Sequence, residues 1–220
     1  MPYFLNTDVS PDFAPGRIES LDSNVPSDFI ISRNKDGTIN SIFSDPVWDM
    51  RMYGALTRFH FESWHIGEKD NLSQTLVHEI KTIAWMAMFN PWIAKKGKKV
   101  NSYYGIIFCL RALAKVAYRI GTTLENTHLS PKFQAALKSG VASVIEDGSI
   151  RVHIQSLKLI IRCCHAARHH EDCSHAFPYH IVPESEYDQW VVRLKVAHSA
   201  SCVDPKRTPP HPCQNLGQPD

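Results

Sequence analysis

Apolar positions between Leu72 and Ala117 recur at helical spacing. Leu72, Leu76, Ile80, Ile83 and Ala87 follow three or four residues apart, with Val77, Ala84 and Met88 beside them. That repeat places one apolar stripe along a helix. Asp70, Asn71 or Ser73 can cap its start, and Pro91 stops it. After the turn Lys95-Lys96-Gly97-Lys98-Lys99, Asn101 or Ser102 opens a second helix. Its inward side carries Tyr103, Ile106, Ile107, Leu110, Leu113, Ala114 and Ala117, and Gly121 ends it. A third, short helix is expected over Ser130 to Lys138, with Pro131 in its first turn and Gly140 and the Asp147-Gly148 pair marking the next loop. A fourth runs from about Ile150 to His170. Pro178 and Pro183 bound a connector, and Glu184 to His198 reads as a fifth helix.

Outside this span the pattern changes. Residues 1–70 are rich in Pro, Asp, Ser and Asn and read as an N-terminal arm with short strands or turns. The candidates are a strand at Phe29-Ile30-Ile31, an aromatic-anchored turn at Asp45–Met50, and an alternating stretch from Leu56 to His65. From residue 199 to 220 there are five prolines, no aromatic residue and few apolar ones. Such a segment cannot bury enough surface to fold, so a disordered tail is expected. The fold class is therefore mainly α. Residues 71–175 form the helical domain, 176–198 a connector and helix, and 199–220 the tail.

Composition supports a packed domain: of the 220 residues 43% are hydrophobic and 21% charged, which is ordinary for a chain with a buried core. No apolar run reaches the roughly 20 residues that cross a bilayer, and the first residues lack the basic start of a signal peptide. Six cysteines, two of them adjacent, make no disulfide framework. A cytoplasmic setting, without a membrane partner, is the expectation.

Charge alters the picture more. The net charge is only +2, yet Met1 to Met50 holds eight acidic residues against three basic, and Lys95 to Ile120 holds seven basic residues and no acidic one. Lys95, Lys96, Lys98 and Lys99 precede a helix N-terminus, where backbone N–H groups already favour anions. Arg111, Lys115 and Arg119 follow at i, i+4 and i+8, which lines them along one ridge. A basic edge running from turn to ridge suits a phosphate backbone. A solvated helix face with a lysine-rich loop is the structural alternative.

The stretch from Asn71 to Gly140 resembles the core-binding domain of tyrosine recombinases, the phage integrase family. The residues that carry the resemblance are Lys98-Lys99-Val100-Asn101-Ser102-Tyr103-Tyr104-Gly105-Ile106, then Leu110, Leu113, Val116, Ile120-Gly121 and Thr123-Leu124-Glu125. It implies a SAM-like helical bundle that clasps duplex DNA, with the second and fourth helices near the major groove. The implied DNA-binding set is Lys95, Lys96, Lys98, Lys99, Asn101, Ser102, Tyr104, Arg111, Lys115 and Arg119. Possible partners are a full-length recombinase or further copies of this chain on DNA. The family's catalytic domain carries an Arg, a His-x-x-Arg pair and a Tyr nucleophile. Here His165-Ala166-Ala167-Arg168 has the spacing without the surrounding domain, so no catalytic residue is expected and the chain reads as a truncated integrase that holds DNA without cutting it.

The run Cys163-Cys164-His165 to His175 is the other candidate for chemistry. On a helical wheel Cys164 shares a face with Ile154, Leu157 and Ile161, and Cys163 lies nearly opposite. His165, His169 and Cys173 follow at i, i+4 and i+8. Structural zinc sites pair such a half-set with a second pair of ligands elsewhere, and none is visible in the sequence. The expectation is no metal and no cofactor. A helical protein–protein interaction domain or a metal-binding regulatory domain is the alternative to DNA binding.

Overall fold

The computed structural model describes residues 25–53, 55, 58–61, 72–89, 101–147, 151–169 and 177–202. The side chains at the helix ends 101–103, 143–147, 151–153 and 201–202, and that of Phe89, fall outside the description. Lys95, Lys96, Lys98 and Lys99 lie outside it altogether, as do Asp70, Asn71, Cys173, His175 and the chain beyond Cys202.

The fold is mainly helical. Among the described residues four short strands, β1 (Ile30–Arg33), β2 (Ile39–Ile42), β3 (Val47–Trp48) and β4 (Phe59–His60), precede five α-helices. The helices are α1 (Gln74–Phe89), α2 (Asn101–Ile120), α3 (Pro131–Asp147), α4 (Arg151–Arg168) and α5 (Tyr187–Cys202). α1 packs on α2 and α4, α2 on α3 and α4, and α5 closes against α3 and α4.

The helices start and stop for local reasons. The Ser73 hydroxyl accepts a hydrogen bond from the Leu76 amide at 3.3 Å and caps α1. Ser130 does the same for α3 through the Phe133 amide, with Pro131 at the first helical position. α2 ends at Gly121, whose φ of +78 only glycine adopts cheaply. The Gly121 amide bonds the Tyr118 carbonyl, and the Thr122 amide reaches back to that of Ala117, the paired C-terminal closure that left-handed glycine permits. α3 is longer than its sequence pattern predicts: it runs through Gly140 to Asp147 instead of ending near Lys138. Glycine in an exposed helical position costs about 1 kcal/mol relative to alanine, and the next residue, Val141, is buried, so the chain stays helical across it.

α1 is the axis of the core. Every residue from Glu79 to Met88 is buried, the all-round burial of a helix covered on each side. Leu76, Ile80, Ile83, Ile106, Leu110 and Leu113 are all buried, as their spacing predicts. Within this core the Glu79 carboxylate accepts hydrogen bonds from the Leu124 amide at 2.8 Å and the Glu125 amide at 3.3 Å, so a buried charge fastens the α2–α3 loop to α1.

The described part of the arm, within residues 25–61, holds two hairpins. β1 and β2 pair antiparallel, with Ile30 opposite Ile42 and Arg33 opposite Ile39; β3 and β4 pair with Trp48 opposite Phe59. The first strand falls where Phe29–Ile31 predicts it, and Phe59–His60 is the part of the Leu56–His65 stretch seen as strand. Trp48, Met50, Phe59 and Phe61 are buried. Lys81 of α1 donates to the carbonyls of Ser44 and Asp45 at 3.1 and 2.7 Å and lies over the Phe61 ring. The two hairpins thus join the helical core.

The connector joins it too. Phe177, Tyr179, Ile181 and Val182 are buried, and Gln134 of α3 donates to the carbonyls of Thr127 and Ile181 at 3.0 and 2.9 Å. α5 starts at Tyr187 after a tight turn at Glu184–Glu186 and continues past residue 199 to Cys202, so the first residues assigned to the tail are helical. Among the described residues no helix is long and apolar enough to cross a membrane.

Candidate functional site

Two cationic regions stand out, on α2 and at the end of α4. The helical repeat of α2 turns Ile106, Leu110, Leu113 and Ala117 inward. The opposite face carries Tyr104, Phe108, Arg111, Lys115, Tyr118 and Arg119. Tyr104 is 50% exposed and Phe108 45%, unusually open for such large side chains. Their rings stack with centroids 6.5 Å apart, and Tyr104 also meets Phe59 of β4 at 6.3 Å. Farther along, Lys115 sits between two arginines. Its pKa is lowered, by burial first and then by the charges of Arg111 and Arg119. The three cations therefore share one field, as their i, i+4, i+8 spacing predicts.

Of the ten residues in the sequence-derived DNA-binding set, Tyr104, Arg111, Lys115 and Arg119 are brought together on this face. Asn101 and Ser102 open α2, with side chains outside the described residues. The four lysines of the preceding turn lie outside as well.

The second region is built where α4 meets the Glu184–Glu186 turn. His165 and His169 are one helical turn apart, with ring centroids separated by 4.3 Å. Glu184 faces them. His169 Nε2 lies 2.8 Å from Glu184 Oε1, and Arg168 Nη1 donates to Oε2 at 2.8 Å. His165 Nδ1 is 2.9 Å from the same Oε1. That nitrogen is nevertheless buried without a hydrogen-bond partner: the contact is close enough for attraction but not along an N–H direction. The His165 ring stacks on Tyr187 at 3.6 Å. Arg168 Nη1 also contacts His180 Nδ1. An arginine only donates, so His180 accepts through a neutral Nδ1, and His128 stacks on its ring.

Electrostatics follow from this packing. Burial acts to raise Glu184, but hydrogen bonds from His169 and Arg168 and their neighbours' charges outweigh it and hold the carboxyl at about 2. Burial, then the charge of Arg168, brings His180 down to about 4. His165 is lowered as well, by burial first, against the opposing pull of Glu184.

The spacing His165–Arg168 thus serves a different arrangement from the phosphate-holding pair of a recombinase: both side chains turn to Glu184. The adjacent cysteines are both buried, although the wheel sets Cys163 nearly opposite Cys164. The reason is that α4 packs against α1, α2 and α5, so its buried face is wider than a single stripe. Burial pushes the Cys164 thiol well up, and Cys109 to about 12; such thiols are inert.

Sequence reasoning missed Glu184 as a neighbour of the histidines. The Pro178 and Pro183 signals marked a connector but not its path back along α4. His165 Nδ1, His169 Nε2 and a Glu184 oxygen all fall within 4.8 Å of one another, a donor set able to hold a metal ion. Comparison with protein-family models, with curated proteins and with solved structures finds no match.

Proposed function

We propose that the chain is a DNA-binding module, of the kind that the core-binding part of a tyrosine recombinase represents, and that it holds duplex DNA through the exposed face of α2. One observation carries this reading. One face of α2 combines half-buried Arg111 and Lys115 and exposed Arg119 with exposed Tyr104, Phe108 and Tyr118, in a segment that has no acidic residue from Lys95 to Ile120. Cations along a ridge meet successive phosphates, and the exposed rings pack against sugars or bases at their edge. The lysines at 95, 96, 98 and 99 extend the basic edge in sequence.

Binding of this type is weak, tolerant of sequence and dominated by released counterions. The module occupies sites and cuts nothing by itself. Tyr179 supports that part of the reading: its phenol is buried and raised above its ordinary value, by burial first and then by the charge of Glu79, which makes it a poor nucleophile. The test is fluorescence anisotropy with a short duplex, comparing the wild-type chain with an Arg111→Gln/Lys115→Gln/Arg119→Gln variant. Loss of affinity in the variant supports the reading. An unchanged affinity, or binding to an acidic protein in place of DNA, overturns it.

A further inference from the structure

We propose that His165, His169 and Glu184 bind one divalent transition-metal ion of the zinc class, which ties the end of α4 to the turn that opens α5. The donors are of the right kind. Two imidazoles and one carboxylate suit Zn²⁺, Co²⁺ or Ni²⁺, whereas Mg²⁺ and Ca²⁺ call for oxygen ligands. Their placement also fits. The i, i+4 spacing puts both imidazoles on one edge of α4, and Glu184 closes the set from a second element. An ion bonded to each donor at about 2.0–2.2 Å separates tetrahedral ligands by about 3.4 Å. Here two contacts measure 2.8 and 2.9 Å, and all three donors lie within 4.8 Å of one another. Small rotations of His169 and Glu184, which are 57% and 43% exposed, admit the ion.

His165 gives the second, independent reason. Its Nδ1 is buried 2.9 Å from a carboxylate oxygen, an ion-pair distance, but off the line of a well-directed hydrogen bond. A bare lone pair there faces another lone pair, and a proton there lacks the line of a hydrogen bond. A cation between the two atoms removes both conflicts. Arg168 takes the remaining oxygen, Glu184 Oε2, at 2.8 Å, which fixes the carboxylate as hydrogen-bonded partners of metal ligands do. Its positive charge opposes the ion, so the site binds more weakly than a four-ligand structural one. With three protein donors, water completes the shell.

Cobalt titration of the metal-stripped full chain, followed by visible absorption, tests the proposal. The expected result is one Co²⁺ per chain, displaced by Zn²⁺ and not by Mg²⁺, with no thiolate-to-cobalt band in the near ultraviolet. Glu184→Gln and His169→Ala should each weaken binding by at least about tenfold. Both side chains are exposed enough that these variants fold, which circular dichroism in chelator checks. No bound cobalt, a thiolate band that assigns the ion to cysteines, or variants that bind like the wild type would each overturn it.

Discussion

α2 and α4 both carry basic side chains at i and i+4, and the two helices pack against each other, yet their charges do opposite things. On α4 the charge is turned inward. Arg168, His165 and His169 gather round one carboxylate supplied by the turn before α5, and the imidazoles of His165 and His180 are held toward their neutral forms. On α2 the cations line one ridge, with Arg111 and Lys115 half-buried and Arg119 exposed. Arg111 and Arg119 act on Lys115 as like charges, with exposed aromatic rings alongside. The difference teaches that a basic helical repeat has no meaning until the acid that faces it is known. Where the fold brings its own carboxylate, the repeat organises the protein. Where the cations share one helix face with exposed rings, the repeat presents a surface suited to a polyanion.

The largest test removes what both regions share. Ile83 is fully buried in α1, the helix that packs on both α2 and α4. Ile83→Ala should cost about 2–5 kcal/mol in urea unfolding, and metal and DNA binding should fail together as the folded fraction falls. Retention of either at full strength in unfolded protein would show that it does not depend on the fold.

Acid separates the two regions. In the folded chain Glu184 sits at about 2, against an ordinary 4.5, so its contribution is complete above pH 4.5 and is lost as pH falls toward 2. His180 is depressed from 6.5 to about 4, so it adds a loss as pH falls from 6.5 to 4. Both make stability rise with pH. Because both groups are substantially solvated, each is worth only about 1 kcal/mol. Thermal melts of chelator-treated protein should show Glu184→Gln flattening the part of the profile below pH 4.5. An Arg111→Gln/Lys115→Gln/Arg119→Gln variant should leave the profile's shape unchanged.

Gly121→Ala sharpens the contrast from the other side. A side chain at φ +78 costs about 1 kcal/mol, and nothing crowds the added Cβ. The melting temperature should drop by a few degrees without a change in metal affinity. The smallest effect on stability belongs to Tyr104→Ser and Phe108→Ser, each within about 0.5 kcal/mol because both rings are exposed. Their DNA affinity should nevertheless fall, as loss of a stacking surface requires.

The helices were legible because their signals are local. The Leu76–Ile80–Ile83 stripe, the Ser130–Pro131 start and the Gly121 stop each lie within a few residues of what they specify. The ridge of Arg111, Lys115 and Arg119 was legible for the same reason, since one helix sets its geometry. Gly140 misled because a glycine weakens a helix without breaking it. In the arm the short strands and the anchoring Trp48 were legible, but the docking of Lys81 of α1 over Phe61 was not, because α1 arrives from farther along the chain. Glu184 was illegible beside His165 and His169 because a reversal through the buried stretch Phe177–Val182 brings it there, and no spacing rule encodes that path. The burial of Cys163 as well as Cys164 was not legible either, since one helix in isolation does not reveal how many neighbours pack round it.

The salt dependence of DNA binding tests the central claim most directly. Affinity of the full chain for a short duplex should fall linearly on a log–log plot of salt, with a slope of about −4 to −5 when four to six of the basic groups meet phosphates. Changing Arg111, Lys115 and Arg119 to Gln should flatten that slope by about 2 to 3, and changing Lys95, Lys96, Lys98 and Lys99 to Ala should flatten it further. Glu184→Gln should leave it unaltered. A slope near zero in the wild type, or one that survives loss of the α2 ridge intact, would contradict the assignment of this face to nucleic acid.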